Sequence, residues 1–175
     1  ATHRGTLYRQ GGPVRLRQRL VSLGAGGALL LAAAFIGEKE GVSLVPYKDI
    51  GGVNTWCYGQ TVGHSKARYT AQECDTDLLT SVQGYHKAVM QELPADTPAS
   101  VQAAFTSAAY NAGVNRWRKS QMPVLARKGL WKAACDVLIQ PHGVSRAWVA
   151  TVNGKPVRGL ENRRRAEHAL CLEDL

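Results

Sequence analysis

The chain has 175 residues, 45% of them hydrophobic, which fits one domain of ordinary size with a buried core. Its 22 Lys and Arg against 13 Asp and Glu leave a net charge of +9, which favours an anionic partner: nucleic acid, a membrane surface or a polymer such as a cell wall. Cys57, Cys74, Cys135 and Cys171 form no C-x-x-C pair, and His64, His86, His142 and His168 are scattered, so no metal site is expected. In an oxidising compartment four cysteines permit three different pairings.

Taken in chain order, residues 1–19 carry Arg4, Arg9, Arg15, Arg17 and Arg19 and no acidic residue. Residues 20–37, LVSLGAGGALLLAAAFIG, then run for 18 positions without a charge. A basic flank ahead of an apolar segment reads as a signal peptide or signal anchor, with the Arg-rich end left in the cytoplasm. Eighteen residues is the lower limit for spanning a hydrocarbon core of roughly 30 Å. Half of them are Gly or Ala, whose small side chains give the segment a weak hold on a bilayer. Cleavage near Ala34 would cut just ahead of Glu38, Lys39 and Glu40, so an uncleaved segment is expected. The alternative is a buried helix of a soluble protein.

Residues 41–63 mix Gly with Val, Thr, Trp and Tyr and read as short strands joined by turns. Thr70-Ala71-Gln72-Glu73 fits a capping box opening a helix to about Leu93, interrupted by Pro94 and Pro98. Helices are expected over Ala99–Asn111, Met122–Lys128, Leu130–Ile139, Ser145–Ala150 and Leu160–Leu172. Asn153-Gly154 marks a tight turn, with a small hairpin about it. The sum is an α+β fold, a small β-containing N-terminal lobe and a mainly helical C-terminal lobe, with a cleft between lobes as the default ligand site.

One stretch invites chemistry. Glu40 stands at the end of the apolar segment, and Asp49 follows nine residues later in a Gly-rich loop. Cleaving a glycosidic bond needs a protonated carboxyl to donate to the leaving oxygen and an ionised one to activate water or stabilise positive charge. Desolvation at an apolar helix end suits Glu40 to the first role, and a polar loop suits Asp49 to the second. The Thr55 hydroxyl is placed to hold a water or orient Asp49. The plain alternatives are a solvated helix-end Glu and a turn Asp that caps its own backbone.

Three ordered motifs sharpen this. Glu40-x8-Asp49-x5-Thr55, within E-G…P-Y-x-D-x-x-G-x-x-T-x-C-Y-G, resembles the catalytic signature of phage-type lysozymes, glycoside hydrolase family 24. Ala104-Phe-Thr-Ser-Ala-Ala-Tyr110-Asn111-Ala-Gly113 resembles the family's S-F-x-Y-N-x-G helix. Gly159-Leu-Glu-Asn-Arg-Arg-Arg-Ala-Glu167 through Leu170-Cys171 resembles its G-L-x-x-R-R-x-x-E-x-x-L-C ending. The resemblance implies a two-lobed lysozyme-like fold. It also implies hydrolysis of β-1,4 bonds between N-acetylmuramic acid and N-acetylglucosamine in peptidoglycan, without a cofactor. It assigns Glu40 as general acid, Asp49 as the carboxylate across the sugar and Thr55 as their partner. Tyr110, Asn111 and Ser120 fall where the family lines its sugar cleft.

The weakly hydrophobic segment ahead of Glu40 resembles that of signal-arrest-release endolysins. On that likeness the chain divides into a basic flank (1–19), a signal-arrest-release segment (20–37) and a catalytic domain (38–175). The resemblance implies export by the host secretion machinery and an inactive form tethered to the host inner membrane through residues 20–37. Release into the periplasm then yields an active monomer, which attacks peptidoglycan and lyses the host cell. No cysteine lies between residues 1 and 56, so activation by disulfide exchange within the segment is not expected. In the periplasm Cys57–Cys74 and Cys135–Cys171 are the preferred pairs. Asp49 and Thr55 speak against a lytic transglycosylase, which works with a single acid. The motifs speak against a non-catalytic, membrane-tethered wall-binding protein or small pore-former, and no motif supports nucleic acid as a partner.

Overall fold

The computed structural model of the chain describes residues 13–49, 51–63, 65–141 and 143–175. The start of the basic flank, with Arg4 and Arg9, lies outside the described residues, as do His64 and His142. Two compact units are formed: one from the residues up to Gly26 with Ala33–Ser81, the other from Gly27–Ala32 with Val82–Leu175.

Residues 20–37 do not make one apolar helix. They span the end of α1 (Pro13–Ser22), a turn, and most of α2 (Gly27–Glu40). Proline opens α1, where its missing N–H costs nothing. Leu16 and Leu20, one turn apart, bury the same face. The helix ends as the Ala25 N–H returns to the Leu20 carbonyl at 3.0 Å. In α2, Ala33, Ala34 and Ile36 are buried, and the Gly41 N–H closes the helix on the Gly37 carbonyl at 3.0 Å. Gly37 faces α1 and α3. A Cβ there would stand 2.7 Å from Leu16 Cδ2 and 3.0 Å from Leu78 Cδ2, so a larger residue would push those leucine ends aside. Among the described residues no helix is long and apolar enough to cross a membrane.

Strands β1 (Ser43–Lys48) and β2 (Asn54–Cys57) form an antiparallel hairpin, pairing Ser43 with Cys57, Tyr47 with Thr55 and Lys48 with Asn54. Residues 44–46 bulge opposite Trp56, and Pro46, which has no N–H for the ladder, sits in that irregularity. Helix α3 (Ala71–Met90) opens with the expected capping box. The Thr70 N–H donates to Glu73 Oε2 at 2.8 Å, and the Glu73 N–H donates to Thr70 Oγ1 at 3.1 Å. A disulfide, Cys57–Cys74, joins the end of β2 to the first turn of α3.

The second unit is helical around α4 (Ala99–Ala112), in which every residue from Val101 to Ala109 except Gln102 is buried. It also holds α5 (Val114–Arg118), α6 (Gln121–Ala126), α7 (Trp131–Asp136) running into a 3-10 turn, and α8 (Arg158–Cys171). Small residues on α4 let α8 approach. There Ser107 Oγ donates to the buried Glu167 carboxylate at 2.7 Å, and Arg163 Nε reaches the same oxygen at 3.3 Å. Arg164 Nη1 lies 2.8 Å from Glu167 Oε2 as an ion pair without hydrogen-bond geometry. Burial pushes the Glu167 carboxyl up, while Arg164, Ser107 and Arg163 draw it back. Cys135–Cys171 is the second disulfide, tying α7 to α8.

Differences from the sequence expectations are local. Residues 145–150 form turns rather than a helix. Ser145 Oγ bonds its own loop by accepting from the Ala147 N–H at 3.2 Å, and Val149 takes a positive φ of 44°, which a helix excludes. Helices α1 and α5 were not expected. The Asn153-Gly154 hairpin is present, linking β3 (Thr151–Val152) to β4 (Lys155–Pro156) with positive φ at both turn residues.

Glu73 also pairs with Lys66, and that bond, followed by the Thr70 N–H, holds its carboxyl down at about 2. A carboxylate depressed in the folded state adds stability above its unfolded value, about 4.3, and the contribution is lost as pH falls toward 2. In Glu73→Gln, which keeps the capping shape without the charge, Tm should therefore be lower at neutral pH. It should also fall less steeply on acidification, as scanning calorimetry at pH 6 and at about pH 2.5 would record.

Candidate active site

The expected catalytic residues all lie in the first unit, at the end of α2 and on the hairpin that follows it. Glu40 is the last residue of α2. Its side chain is exposed, so the apolar helix does not bury the carboxyl as the sequence suggested.

Asp49 directly follows β1, in the turn to β2. Its N–H donates to the Val53 carbonyl at 2.9 Å, its Oδ1 accepts from the Val53 N–H at 2.8 Å, and its carbonyl accepts from the Gly52 N–H at 2.9 Å. Asp49 is thus fixed by the backbone of its own turn. Thr55 is buried on β2 and donates its hydroxyl proton to the Val53 carbonyl at 3.1 Å. Asp49 and Thr55 are therefore linked through the two ends of the Val53 residue, and not by a direct bond. With its proton committed to Val53, the Thr55 oxygen can still accept a hydrogen bond from a water.

A group that the sequence reading did not single out lies in the same unit. Asp75, on α3, has no solvent exposure. Arg19 Nε of α1 reaches its Oδ2 at 2.5 Å, and Tyr58 OH, just past β2, donates to its Oδ1 at 2.8 Å. Burial, then the bond to Asp75, pushes the Tyr58 hydroxyl well above the ordinary phenol range, so it stays a donor. A readable signal existed: Asp75 falls in the 74, 75, 78, 79, 82 stripe of α3, otherwise apolar and buried.

Tyr110, Asn111 and Ser120 belong to the second unit. Tyr110 packs on Tyr85 with ring centroids 5.0 Å apart. Asn111 Oδ1 accepts from Arg164 Nη2, while its residue stays exposed. Ser120 caps α6, accepting from the Met122 N–H at 3.2 Å and donating to the Trp117 carbonyl at 2.7 Å. A cavity of about 570 Å³ opens on the first unit between Trp56, Lys66, Tyr69, Glu73 and Asp77, and none of Glu40, Asp49 and Thr55 lines it. Among the described residues no group of three His, Cys, Asp or Glu is placed to hold a metal ion.

A helix that ends in Glu40 thus runs into the hairpin that carries Asp49 and Thr55, within a mainly helical chain, and the chain's class follows from its relatives, which are lysozymes. The phage lysozyme family model matches residues 37–167, and the chain belongs to that family. It is 32% identical over 171 residues to the SAR-endolysin of Enterobacteria phage P21, covering 91% of this chain and 97% of that one. With the SAR-endolysin of Escherichia phage P1 it shares 32% over 153 residues, 80% of this chain and 78% of that one. The crystal structure of the active form of the P1 phage endolysin matches with a TM-score of 0.76 at 28% identity, covering 93% of this chain and 94% of that chain.

Because both bonds of the Ser120 hydroxyl end on backbone, Ser120→Ala should destabilise the protein by about 1 kcal/mol through loss of the cap, measured as a lower urea midpoint at unchanged m-value.

Proposed function

We propose that the chain is an endolysin that hydrolyses the β-1,4 bonds between N-acetylmuramic acid and N-acetylglucosamine in peptidoglycan. Glu40 donates a proton to the leaving oxygen. Asp49 acts from the opposite side of the sugar, and Thr55 holds the attacking water. The observation that carries this reading is the linkage at Val53, which ties Asp49 and Thr55 together at the turn of the hairpin that follows the helix ending in Glu40. Sugar bound over the exposed Glu40 would displace water and supply the desolvation that an acid catalyst needs. Tyr110, Asn111 and Ser120 are proposed as further sugar contacts.

Residues 20–37 are proposed to tether the chain, inactive, to the host inner membrane after export by the secretion machinery. On release into the periplasm they fold back, and lysis follows. The packing supports this, since Leu20, Ala33, Ala34 and Ile36 of that stretch are buried in the folded chain. It is a stretch with two environments available to it.

Glu40→Gln should lower the rate of clearing of a peptidoglycan suspension by roughly 10²- to 10⁴-fold, the range for loss of a general acid. Clearing at the parent rate would end the enzymatic assignment of Glu40. Release is tested separately. Ser22 and Gly26 are exposed in the folded chain, and a Cβ at Gly26 meets open space. Ser22→Leu/Gly26→Leu should therefore spare the fold while adding about 3 kcal/mol or more of apolar transfer to the tethered form. Fractionation should find the doubly substituted chain retained with the membrane and lysis delayed.

A further inference from the structure

The geometry points to Arg19 as a positioning residue for the Glu40–Asp49 pair, one whose contact is made only when residues 20–37 have left the bilayer. The inference rests on the reading of Glu40 as the acid and of residues 20–37 as a releasable tether.

Relative placement of the two carboxylates depends on how the last turn of α2 sits against the hairpin. The hairpin is secured to α3 twice over, by Cys57–Cys74 and by the adjacent Tyr58–Asp75 hydrogen bond. Gly37, one turn before Glu40, is the contact point of α2. An ideal Cβ at that position would meet Leu16 of α1, Leu78 of α3 and Tyr58 of the hairpin end, at 2.7, 3.0 and 3.4 Å. Leu78 and Tyr58 are already fixed by the hairpin–α3 joint. Leu16 is not. It depends on α1, which is anchored by the burial of Leu16 and Leu20 and by the fork of Arg19 on Asp75, Nε to Oδ2 at 2.5 Å and Nη2 to Oδ1 at 3.4 Å. Arg19 is thus the polar contact that draws α1 onto the last turn of α2.

Topology gives this contact a second property. Arg19 immediately precedes the apolar stretch, and Asp75 follows it by 38 residues. If residues 20–37 cross the membrane with the basic end inside, a hydrocarbon core of roughly 30 Å separates the guanidinium from the carboxylate. No side chain spans that distance. The tethered chain can make the disulfide and the Tyr58 bond, but it lacks the cation of Asp75 and the Leu16 wall against Gly37. Release therefore delivers the residue that sets the helix carrying Glu40.

Two measurements test this on the full-length chain. The first is steady-state peptidoglycan hydrolysis by folded parent, Arg19→Gln, Arg19→Lys and Glu40→Gln. Misplacement of a catalytic group predicts a kcat about tenfold to a hundredfold lower for Arg19→Gln, with KM within about twofold and substantial recovery in Arg19→Lys. Parent kcat in a folded Arg19→Gln would overturn the positioning role, and while Glu40→Gln remained inactive the enzymatic reading would stand. If Arg19→Gln does not fold, the conservative variant decides: a folded Arg19→Lys with no more activity than Glu40→Gln overturns the role, and activity near the parent supports it. The second uses Arg19→Cys, whose introduced thiol is unpaired because the four native cysteines are in disulfides. On spheroplasts, a membrane-impermeant maleimide should label the released fraction and spare the membrane-bound one. Labelling of the bound fraction from outside would overturn the coupling to release.

Discussion

A carboxylate with no solvent exposure has to be met by charge and hydrogen bonds from the protein, because leaving it unmatched costs several kcal/mol. Asp75 imposes that condition on the unit that carries the candidate site. One oxygen is met by Tyr58 at the end of the hairpin, the other by Arg19 of α1. Satisfying a single buried acid therefore brings three chain segments to one point, and Gly37 of α2 is pinched among neighbours of the same three. The helical unit follows the same rule with a different acid. Glu167 of α8 is met by Ser107 from α4 and by Arg163 and Arg164 from its own helix. Removing one partner of either group would leave an uncompensated buried charge, at a cost of about 3–5 kcal/mol.

Around the candidate site the backbone, more than side-chain packing, does the positioning. The Val53 N–H fixes the Asp49 carboxylate, and the Val53 carbonyl takes both the Asp49 N–H and the Thr55 hydroxyl. Because peptide geometry is rigid, these two groups cannot drift independently. Only one oxygen of Asp49 is engaged by the Val53 N–H. The bland reading of Asp49 as a turn residue bonding its own backbone is therefore correct, and it does not compete with a catalytic role. Turn bonding is what holds the carboxylate still.

Legibility in the sequence followed the range of the interactions. The capping box at Thr70–Glu73, the Asn153-Gly154 turn and the long helices α3, α4 and α8 are written in neighbouring residues, and they stand where expected. Ser145–Ala150 has helical composition, but its Ser145 hydroxyl and the positive φ of Val149 turn the chain instead. Helix α1 was hidden because its arginines read as a targeting flank. Its reason for forming, Leu16 and Leu20 buried with Arg19 reaching 56 residues ahead to Asp75, is a tertiary contact that no local pattern carries. The break at residues 23–26 is local instead: it falls at Gly24-Ala25-Gly26-Gly27, where Gly24 and Gly27 take positive φ, a helix-end signal masked by the apolar reading of the whole stretch. The G-L-x-x-R-R-x-x-E ending was visible as a motif, and the structure gives its meaning: Arg163, Arg164 and Glu167 are the buried ionic centre of the helical unit.

The composition of residues 20–37 can be weighed in the two environments proposed for it. Eight of its residues are Leu, Val, Phe or Ile, and at about −0.3 to −0.6 kcal/mol each in a membrane helix they favour insertion by only about 2–5 kcal/mol. In the folded chain Leu20, Ala33, Ala34 and Ile36 of the same stretch are buried, so its apolar surface is covered there too. A segment richer in leucine would tip the balance toward the bilayer, and its bulk would also spoil the close approach of Leu16 and Leu78 over Gly37. The small residues therefore answer two demands at once, weak retention and tight packing.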